Sequence, residues 1–94
     1  MNNYESVCIL NPNCTNEQIA EIIVQLEDLI KDFTTQPITI ENLGKKKLAY
    51  EIRKNNEGIY LLTRFFAKIP VISELERFYR LNEKVLKFLT VKED

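Results

Sequence analysis

Apolar side chains recur along this chain with two different periods, and the order in which these periods alternate limits the possible folds more than any other feature. In residues 15–33 the apolar positions recur at i, i+3, i+4 and i+7, the spacing of one buried stripe on a helix. Leu75, Phe78 and Tyr79 form a shorter stripe of the same kind. Strand-like segments, with two-residue alternation or a continuous apolar run, occupy residues 3–10, 36–54, 59–69 and 85–92.

Both helical segments begin with a pattern typical of a capping box, in which two side chains three residues apart satisfy each other's backbone amides. Thr15 and Gln18 form this pattern before the long stripe, and Ser73 and Glu76 form it at the start of the short one. We therefore expect the helices to begin at these positions, and we expect Asn82 to close the second helix.

The long second strand contains one interruption, and a turn follows it. Gly44 lies between apolar positions of a single parity and predicts a bulge or bend. Residues 54–58, with the sequence KNNEG, predict a hairpin turn into the third strand. The apolar positions of shared parity are Ile38, Ile40, Leu48, Tyr50 and Ile52.

The order of elements is therefore β-α-β-β-α-β. Two helices and four strands predict an α+β fold, the ferredoxin-like split β-α-β sandwich, with a four-stranded antiparallel sheet and two helices on one face. A chain of 94 residues predicts a single domain over residues 1–94. The first and third strands are apolar at both parities, so we expect them in the middle of the sheet. Even-numbered residues of the first strand and odd-numbered residues of the third are expected to face the helices.

One face of such a sheet carries no helix, and the alternation leaves several large apolar side chains on it. Exposed apolar patches of this kind usually mark an interface. A tolerant sheet surface, or a wrong choice of face, would give the same pattern. The predicted partner-binding residues are Val7, Ile9, Tyr60, Leu62, Phe66, Leu89 and Val91.

Positive charge is concentrated in one segment of a chain whose net charge is −1. Residues 45–54, KKKLAYEIRK, contain five basic side chains and one acidic side chain. A nearly neutral chain is not typical of a protein that binds nucleic acid alone through bulk charge. The segment is consistent with three roles: a charged strand edge that prevents aggregation, a targeting patch, or contacts with phosphates.

The residues of common catalytic and metal sites are scarce in this sequence. It has no histidine, and its two cysteines, Cys8 and Cys14, do not form a CxxC pair. We expect no enzyme activity, no metal, no cofactor and no small-molecule substrate. No apolar run reaches the ~20 residues of a membrane span, and the first twelve residues carry no basic side chain. We therefore expect neither membrane binding nor a secretion signal.

Three segments in order, NYESVCILNPN, LGKKKLAYEI and RLNEKVLKFLTVK, resemble signatures of the bacterial small-ribosomal-subunit protein six family. Its members typically have Tyr-Glu before an apolar strand, Leu-Gly and basic residues before Leu-Ala-Tyr, and an Arg-apolar-Asn-acid run before the last strand. The resemblance covers essentially the whole chain. The matching positions are Tyr4, Glu5, Pro12, Leu43, Gly44, Lys46, Lys47, Leu48, Ala49, Tyr50, Ile52, Arg80, Asn82, Glu83 and Val85.

The chain departs from the family pattern in three places. Glu51 stands where proline usually follows Leu-Ala-Tyr, and Asn2 and Asn3 stand where arginines are common. Only Glu93 and Asp94 stand in place of a long acidic tail.

The resemblance implies a structural constituent of the small ribosomal subunit that binds small-subunit (16S) rRNA together with ribosomal protein eighteen. It implies a location on the ribosome, in a bacterial cytoplasm or a plastid stroma. It also implies that the lysine run contacts the rRNA backbone as half of a shared surface, since a nearly neutral chain needs charge from a basic partner. The candidate RNA-binding residues are Lys45, Lys46, Lys47, Arg53, Lys54, Arg80 and Lys87.

Two other functions are open to a chain of this fold. One is a ligand-sensing or oligomerising regulatory domain that dimerises through its open sheet face. The other is an acylphosphatase-like enzyme, which needs glycine and arginine in a phosphate-binding loop after the first strand. Residues 11–16, NPNCTN, contain neither.

Overall fold

The computed structural model describes residues 1–93 and has the predicted order of strands and helices. The strands form one antiparallel sheet in the order β2-β3-β1-β4, so β1 and β3 lie in the middle as expected. The ferredoxin-like α+β architecture is confirmed. The elements are β1 (Asn2–Leu10), α1 (Asn16–Ile30) with a following 3-10 turn (Lys31–Phe33), β2 (Thr39–Ile52), β3 (Asn55–Ala67), α2 (Val71–Leu81) and β4 (Val85–Glu93).

The hydrophobic core lies between the sheet and the two helices. Even-numbered residues of β1 and odd-numbered residues of β3 face the helices, which confirms the expected choice of face. Because both helices cover this face, the opposite face of the sheet stays without a helix. The core side chains include Tyr4, Cys8 and Leu10 of β1, Ile59, Leu61 and Phe65 of β3, Ile19, Ile22, Leu26 and Ile30 of α1, and Val71, Leu75 and Tyr79 of α2.

A hydroxyl network is buried beneath α2. The Tyr79 hydroxyl and Ser6 Oγ are 2.8 Å apart, and Thr90 Oγ1 donates to Ser6 Oγ at 3.0 Å. Burial of the Tyr79 hydroxyl raises its pKa above the usual range. The network connects α2 to β1 and β4 through side chains that would otherwise be unsatisfied in the core.

The two helices begin in different ways. In α1, Thr15 Oγ1 accepts from the Gln18 amide at 3.1 Å and the Thr15 amide donates to Gln18 Oε1 at 2.9 Å, so the predicted capping box is confirmed. The prediction for α2 is wrong, because the helix begins at Val71, before Ser73. The Val71 amide already donates to the Lys68 carbonyl at 3.1 Å, and Pro70 precedes it with a helical φ of −57°.

A β-bulge at Leu43 changes the face to which the side chains of β2 point. Asn42 pairs with Leu61, but Gly44 pairs with Tyr60, so Leu43 has no partner in the ladder. Gly44 has a φ of +87°, and its amide donates to the Asn42 side chain at 2.8 Å. The predicted interruption at Gly44 is confirmed. Even-numbered residues of β2 face the helices before the bulge, and Gly44 and Lys46 face the open side after it. A second irregularity lies between Lys47 and Ile52.

The hairpin between β2 and β3 turns earlier than predicted. Arg53 and Lys54 have φ values of 49° and 65° and form the turn, while residues 55–58 already belong to β3. The Asn55 side chain donates to the Arg53 carbonyl at 3.1 Å and to the Ile52 carbonyl at 3.3 Å, which closes the turn. The prediction of a turn over residues 54–58 is therefore wrong, and Gly58 lies in β3, close to Ile9.

Candidate functional site

The helix-free face of the sheet, called the open face below, carries every predicted partner-binding residue. Val7 is paired with Leu62 on one side and Leu89 on the other. Leu89 is 63% exposed and Val91 is 46% exposed. The other members are half-buried, except Ile9. The structure therefore brings Val7, Ile9, Tyr60, Leu62, Phe66, Leu89 and Val91 together on one surface.

Ile9 is on the open face but is covered by the β2–β3 hairpin, and only 8% of it is exposed. A Cβ atom on Gly58 would lie 2.3 Å from Ile9 Cγ2, so only glycine allows this approach. The Leu48 side chain, brought to this face by the bulge, lies 3.5 Å from the same point. Ile9 is thus packed by its own chain and is a poorer partner-binding candidate than the exposed leucine and valine of β4.

A shallow apolar depression lies between β1 and β4 on this face. Its volume is about 220 Å³, and it is lined by Val7, Ile9, Lys87, Phe88 and Leu89. A depression of this size and composition can hold a single apolar side chain of another molecule.

Tyr50 and Lys87 connect the two edge strands across one end of the open face. Lys87 Nζ donates to the Tyr50 hydroxyl and lies 4.9 Å from the centroid of its ring. β2 and β4 are at opposite edges of the sheet, so this contact requires the hairpin to curl over the end of β1. Sequence analysis missed this arrangement because the contact joins residues 37 positions apart and depends on the bulge.

The lysine run is divided between the two faces of the sheet. Lys46 is paired with Gly58 and points to the open face, whereas Lys45 and Lys47 are paired with Ile59 and Glu57 on the opposite face. All three lysines are exposed. Within residues 1–93 none of them forms an ion pair. Their charges are therefore available to an external anion, but not as one flat patch.

The remaining basic candidates fall into two groups. Lys87 is paired with Ile9 and lies at the same end of the open face as Lys46, and Arg53 and Lys54 are exposed at the hairpin turn beyond that end. Arg80 lies on α2, behind the sheet, 3.8 Å from Glu76. The structure thus brings together a basic end of the open face, formed by Lys46, Lys87, Arg53 and Lys54, and separates Arg80 from it.

The other end of the open face is acidic. Glu5 Oε2 lies 3.3 Å from Arg64 Nε. Hydrogen bonds from Glu93 and from Arg64 hold the pKa of the Glu5 carboxyl below its usual range, and the neighbouring Glu5 carboxylate raises the pKa of Glu93. Two carboxylates, Glu5 and Glu93, thus lie near one arginine, and among the residues that the structure describes Arg64 is paired only with Glu5. The apolar centre of the open face therefore lies between a cationic and an anionic end.

The family model described as Ribosomal protein S6 matches residues 3–92. The chain belongs to the ribosomal protein S6 family. The small ribosomal subunit protein bS6 of Gloeobacter violaceus is 38% identical over 97% of this chain and 95% of its own length. That of Porphyromonas gingivalis is 40% identical over the whole chain and 80% of its own length. The crystal structure of 30S ribosomal protein S6 from Thermotoga maritima matches with a TM-score of 0.88 and 31% identity, over 98% of this chain and 87% of that one.

Membership in the S6 family gives this chain a structural, non-enzymatic role in the small ribosomal subunit. The expectations of a ribosomal protein without enzyme activity, located on the ribosome, are confirmed by these relatives. Within residues 1–93, no helix is both long enough and apolar enough to cross a membrane.

Proposed function

We propose that this S6-family chain binds small-subunit rRNA together with ribosomal protein eighteen, and that the open face and its basic end form the shared surface. The observation that carries the proposal is that Lys46 and Lys87 lie on the same face of the sheet as an exposed apolar band, formed by Leu89 and Val91. One surface thus has apolar area for a protein and cationic side chains for phosphates.

The apolar band supports the protein half of the proposal. Leu89 and Val91 project from β4 with large exposed areas, and the neighbouring depression has room for one apolar side chain. The acidic end, with Glu5 and Glu93, is complementary to a basic partner. A basic partner would also supply the positive charge that a chain of net charge −1 lacks.

The basic end supports the RNA half of the proposal. Lysine and arginine side chains that neutralise phosphates release counterions from the RNA. Each such contact therefore makes the slope of log affinity against log salt concentration steeper by ~0.7–0.9. Phosphate contacts fix the position of a protein on RNA and carry no sequence code. Lys45 and Lys47 can contribute only to RNA that wraps around the β2 edge, since they point to the other face.

The protein half is tested with Leu89→Asp and the matched control Val24→Asp. Both side chains are exposed, at 63% and 55%, but Val24 lies on α1 and away from the open face. We expect L89D to weaken binding to purified ribosomal protein eighteen by at least ~10-fold, and V24D to leave it unchanged. Equal binding by the two variants, measured by calorimetry, would place the partner elsewhere.

The RNA half is tested with the preassembled pair and an rRNA fragment over a series of salt concentrations. Lys46→Ala is expected to reduce the salt slope by ~0.7–0.9. Lys31→Ala removes the same charge from the far end of α1, where Lys31 is paired with Asp28 at 3.2 Å, and is expected to leave the slope unchanged. Identical slopes for the two variants would exclude Lys46 from the RNA contact.

A further inference from the structure

The two edges of the sheet differ in how well they are protected against pairing with another strand. The β2 edge carries three consecutive lysines and the bulge at Leu43, both of which disfavour pairing. The β4 edge is regular from Lys87 to Glu93, because its one irregularity lies before this segment, and it has no proline. An exposed, regular strand edge with apolar side chains is a template for another strand.

We propose that β4 pairs antiparallel with β4 of a second copy of this chain, with Thr90 at the centre, so that two four-stranded sheets join into one. Antiparallel partners lie directly opposite each other on the same face of a sheet. A symmetric pair must therefore match odd positions with odd positions and even positions with even positions. This leaves only a few possible registers, which differ in the residue that lies on the two-fold axis.

The side chains of β4 are complementary in one of these registers. With Thr90 at the centre, Lys87 lies opposite Glu93, Leu89 lies opposite Val91, and the two threonines face each other. Opposite charges, apolar pairs and threonine pairs are all favourable across antiparallel strands. With Leu89 at the centre, Lys87 would face Val91, and with Val91 at the centre, Leu89 would face Glu93. Neither alternative pairs opposite charges.

The local charges on the open face favour the same register. Glu93 lies beside Glu5, and within the described part of the chain Arg64 forms an ion pair with Glu5 only. Lys87 of the second copy would reach position 93 from the free side of β4 and add a second cation. The joined sheets would also place Leu89 and Val91 of both copies side by side, which covers part of their exposed apolar area.

The association is expected to be weak. Pairing along one short strand buries less than the ~1,200 Å² of a standard stable interface, so we expect a dissociation constant on the order of 0.1–1 mM. The dimer would therefore form only in concentrated protein that is free of RNA and of other proteins, and the inference does not depend on the proposed function.

The test is sedimentation velocity of the purified chain and of charge-reversal variants. Concentrations extend to about 1 mM, the highest dissociation constant that we expect. Lys87→Glu and Glu93→Lys each place like charges opposite each other at both ends of the pairing. Each single variant is expected to lose self-association by at least ~10-fold. An equimolar mixture of the two variants places opposite charges at both ends again, and is expected to associate as well as the wild type.

Two controls separate the pairing from other effects. Tyr50→Phe removes the hydroxyl bonded to Lys87 and is expected to leave self-association unchanged, which shows that the hairpin contact is not responsible. Lys31→Glu reverses a charge at the far end of α1 and is expected to have no effect. Circular dichroism confirms that the variants are folded.

Three results would overturn the inference. The first is a wild-type chain that stays monomeric over the whole concentration range. The second is self-association that survives in both single variants, which would place the contact on another surface. The third is a mixture that fails to associate although each variant is folded.

Discussion

At the scale of single residues, Gly58 shows how one missing atom allows the hairpin to cover the sheet. We expect Gly58→Ala to destabilise the protein by about 1–3 kcal/mol, the cost of forcing extra volume into a packed site. The new Cβ would lie 2.3 Å from Ile9 Cγ2 and 3.2 Å from the Leu10 carbonyl oxygen. Urea unfolding measures the change.

The controls for Gly58 are Gly44→Ala and a double substitution. A Cβ on Gly44 would meet nothing within 4 Å, so its cost is only the left-handed strain at a φ of +87°, about 1–2 kcal/mol. In an Ile9→Ala background, Gly58→Ala should cost clearly less, because the colliding Cγ2 is gone. Additive effects at positions 9 and 58 would show that the contact is not the cause.

The two cysteines are expected to differ in reactivity. Cys8 is 1% exposed, and burial raises its pKa to about 12, whereas Cys14 is partly exposed at the loop before α1. Because the thiolate is the reactive form, a disulfide reagent at pH 8 should modify Cys14 in the folded chain and Cys8 only after unfolding. Mass spectrometry locates the label. Rapid modification of Cys8 without unfolding would contradict its burial.

Cys8 also predicts a loss of stability in alkali. Its folded pKa lies above its unfolded value, so the protonated thiol contributes stability that is fully present below about pH 9 and is lost as the pH rises toward about 12. Burial raises the pKa of the Tyr79 hydroxyl as well, so this group contributes in the same direction. Cys8→Ala should therefore flatten, but not abolish, the decline of unfolding free energy between these pH values. An unchanged decline in this variant would assign the effect to other groups.

At the scale of elements, the β2–β3 hairpin has an unfavourable sequence for its turn. Arg53 and Lys54 both adopt positive φ, a conformation for which two-residue turns strongly prefer Asn-Gly. The double change R53N/K54G is expected to stabilise the protein by roughly 1 kcal/mol. Thermal unfolding measures it.

A second double variant separates the effect of backbone strain on stability from the effect of charge at this turn. R53Q/K54Q removes both charges and keeps ordinary side chains at positive φ, so its stability should match the wild type. If the charges bind RNA as proposed, both double variants should weaken RNA binding equally. A stabilisation that is the same in both variants would mean that charge repulsion, and not backbone strain, limits the hairpin.

The elements also show how far short-range patterns predict this fold. The capping box of α1 depends on two side chains three residues apart, and the central position of β1 and β3 follows from apolar residues on both faces of each strand. Both features were predicted correctly, because they leave a pattern within a short stretch of sequence. The start of α2 depends on a backbone bond to Lys68 before the helix, and the tight turn depends on the Asn55 side chain. Such contacts leave no periodic signal. The division of the lysine run was missed because alternation cannot be followed through a bulge.

At the scale of the whole molecule, stability should be highest in the middle of the sheet and lowest at the hairpin tip. β1 and β3 are paired on both sides and face the core, whereas the β2–β3 ladder becomes irregular beyond Lys47. Native-state hydrogen exchange should therefore be slowest in residues 4–10 and 59–65 and fastest in residues 48–56. Equal protection in the two regions would show that the contact between Tyr50 and Lys87 holds the hairpin as firmly as the core.

The unpaired position at Leu43 determines where β2 can tolerate a change in length. Loss of this one codon would remove the irregularity at position 43 and leave every later residue with its present partner, since Asn42 and Gly44 already pair with the successive residues Leu61 and Tyr60. Loss of any codon between Lys45 and Lys47 is instead expected to shift the following residues by one position along the ladder. Leu48 and Tyr50 would then point to the helix side and no longer to the open face. Deletion of Leu43 is therefore expected to preserve the surface charge pattern of β2.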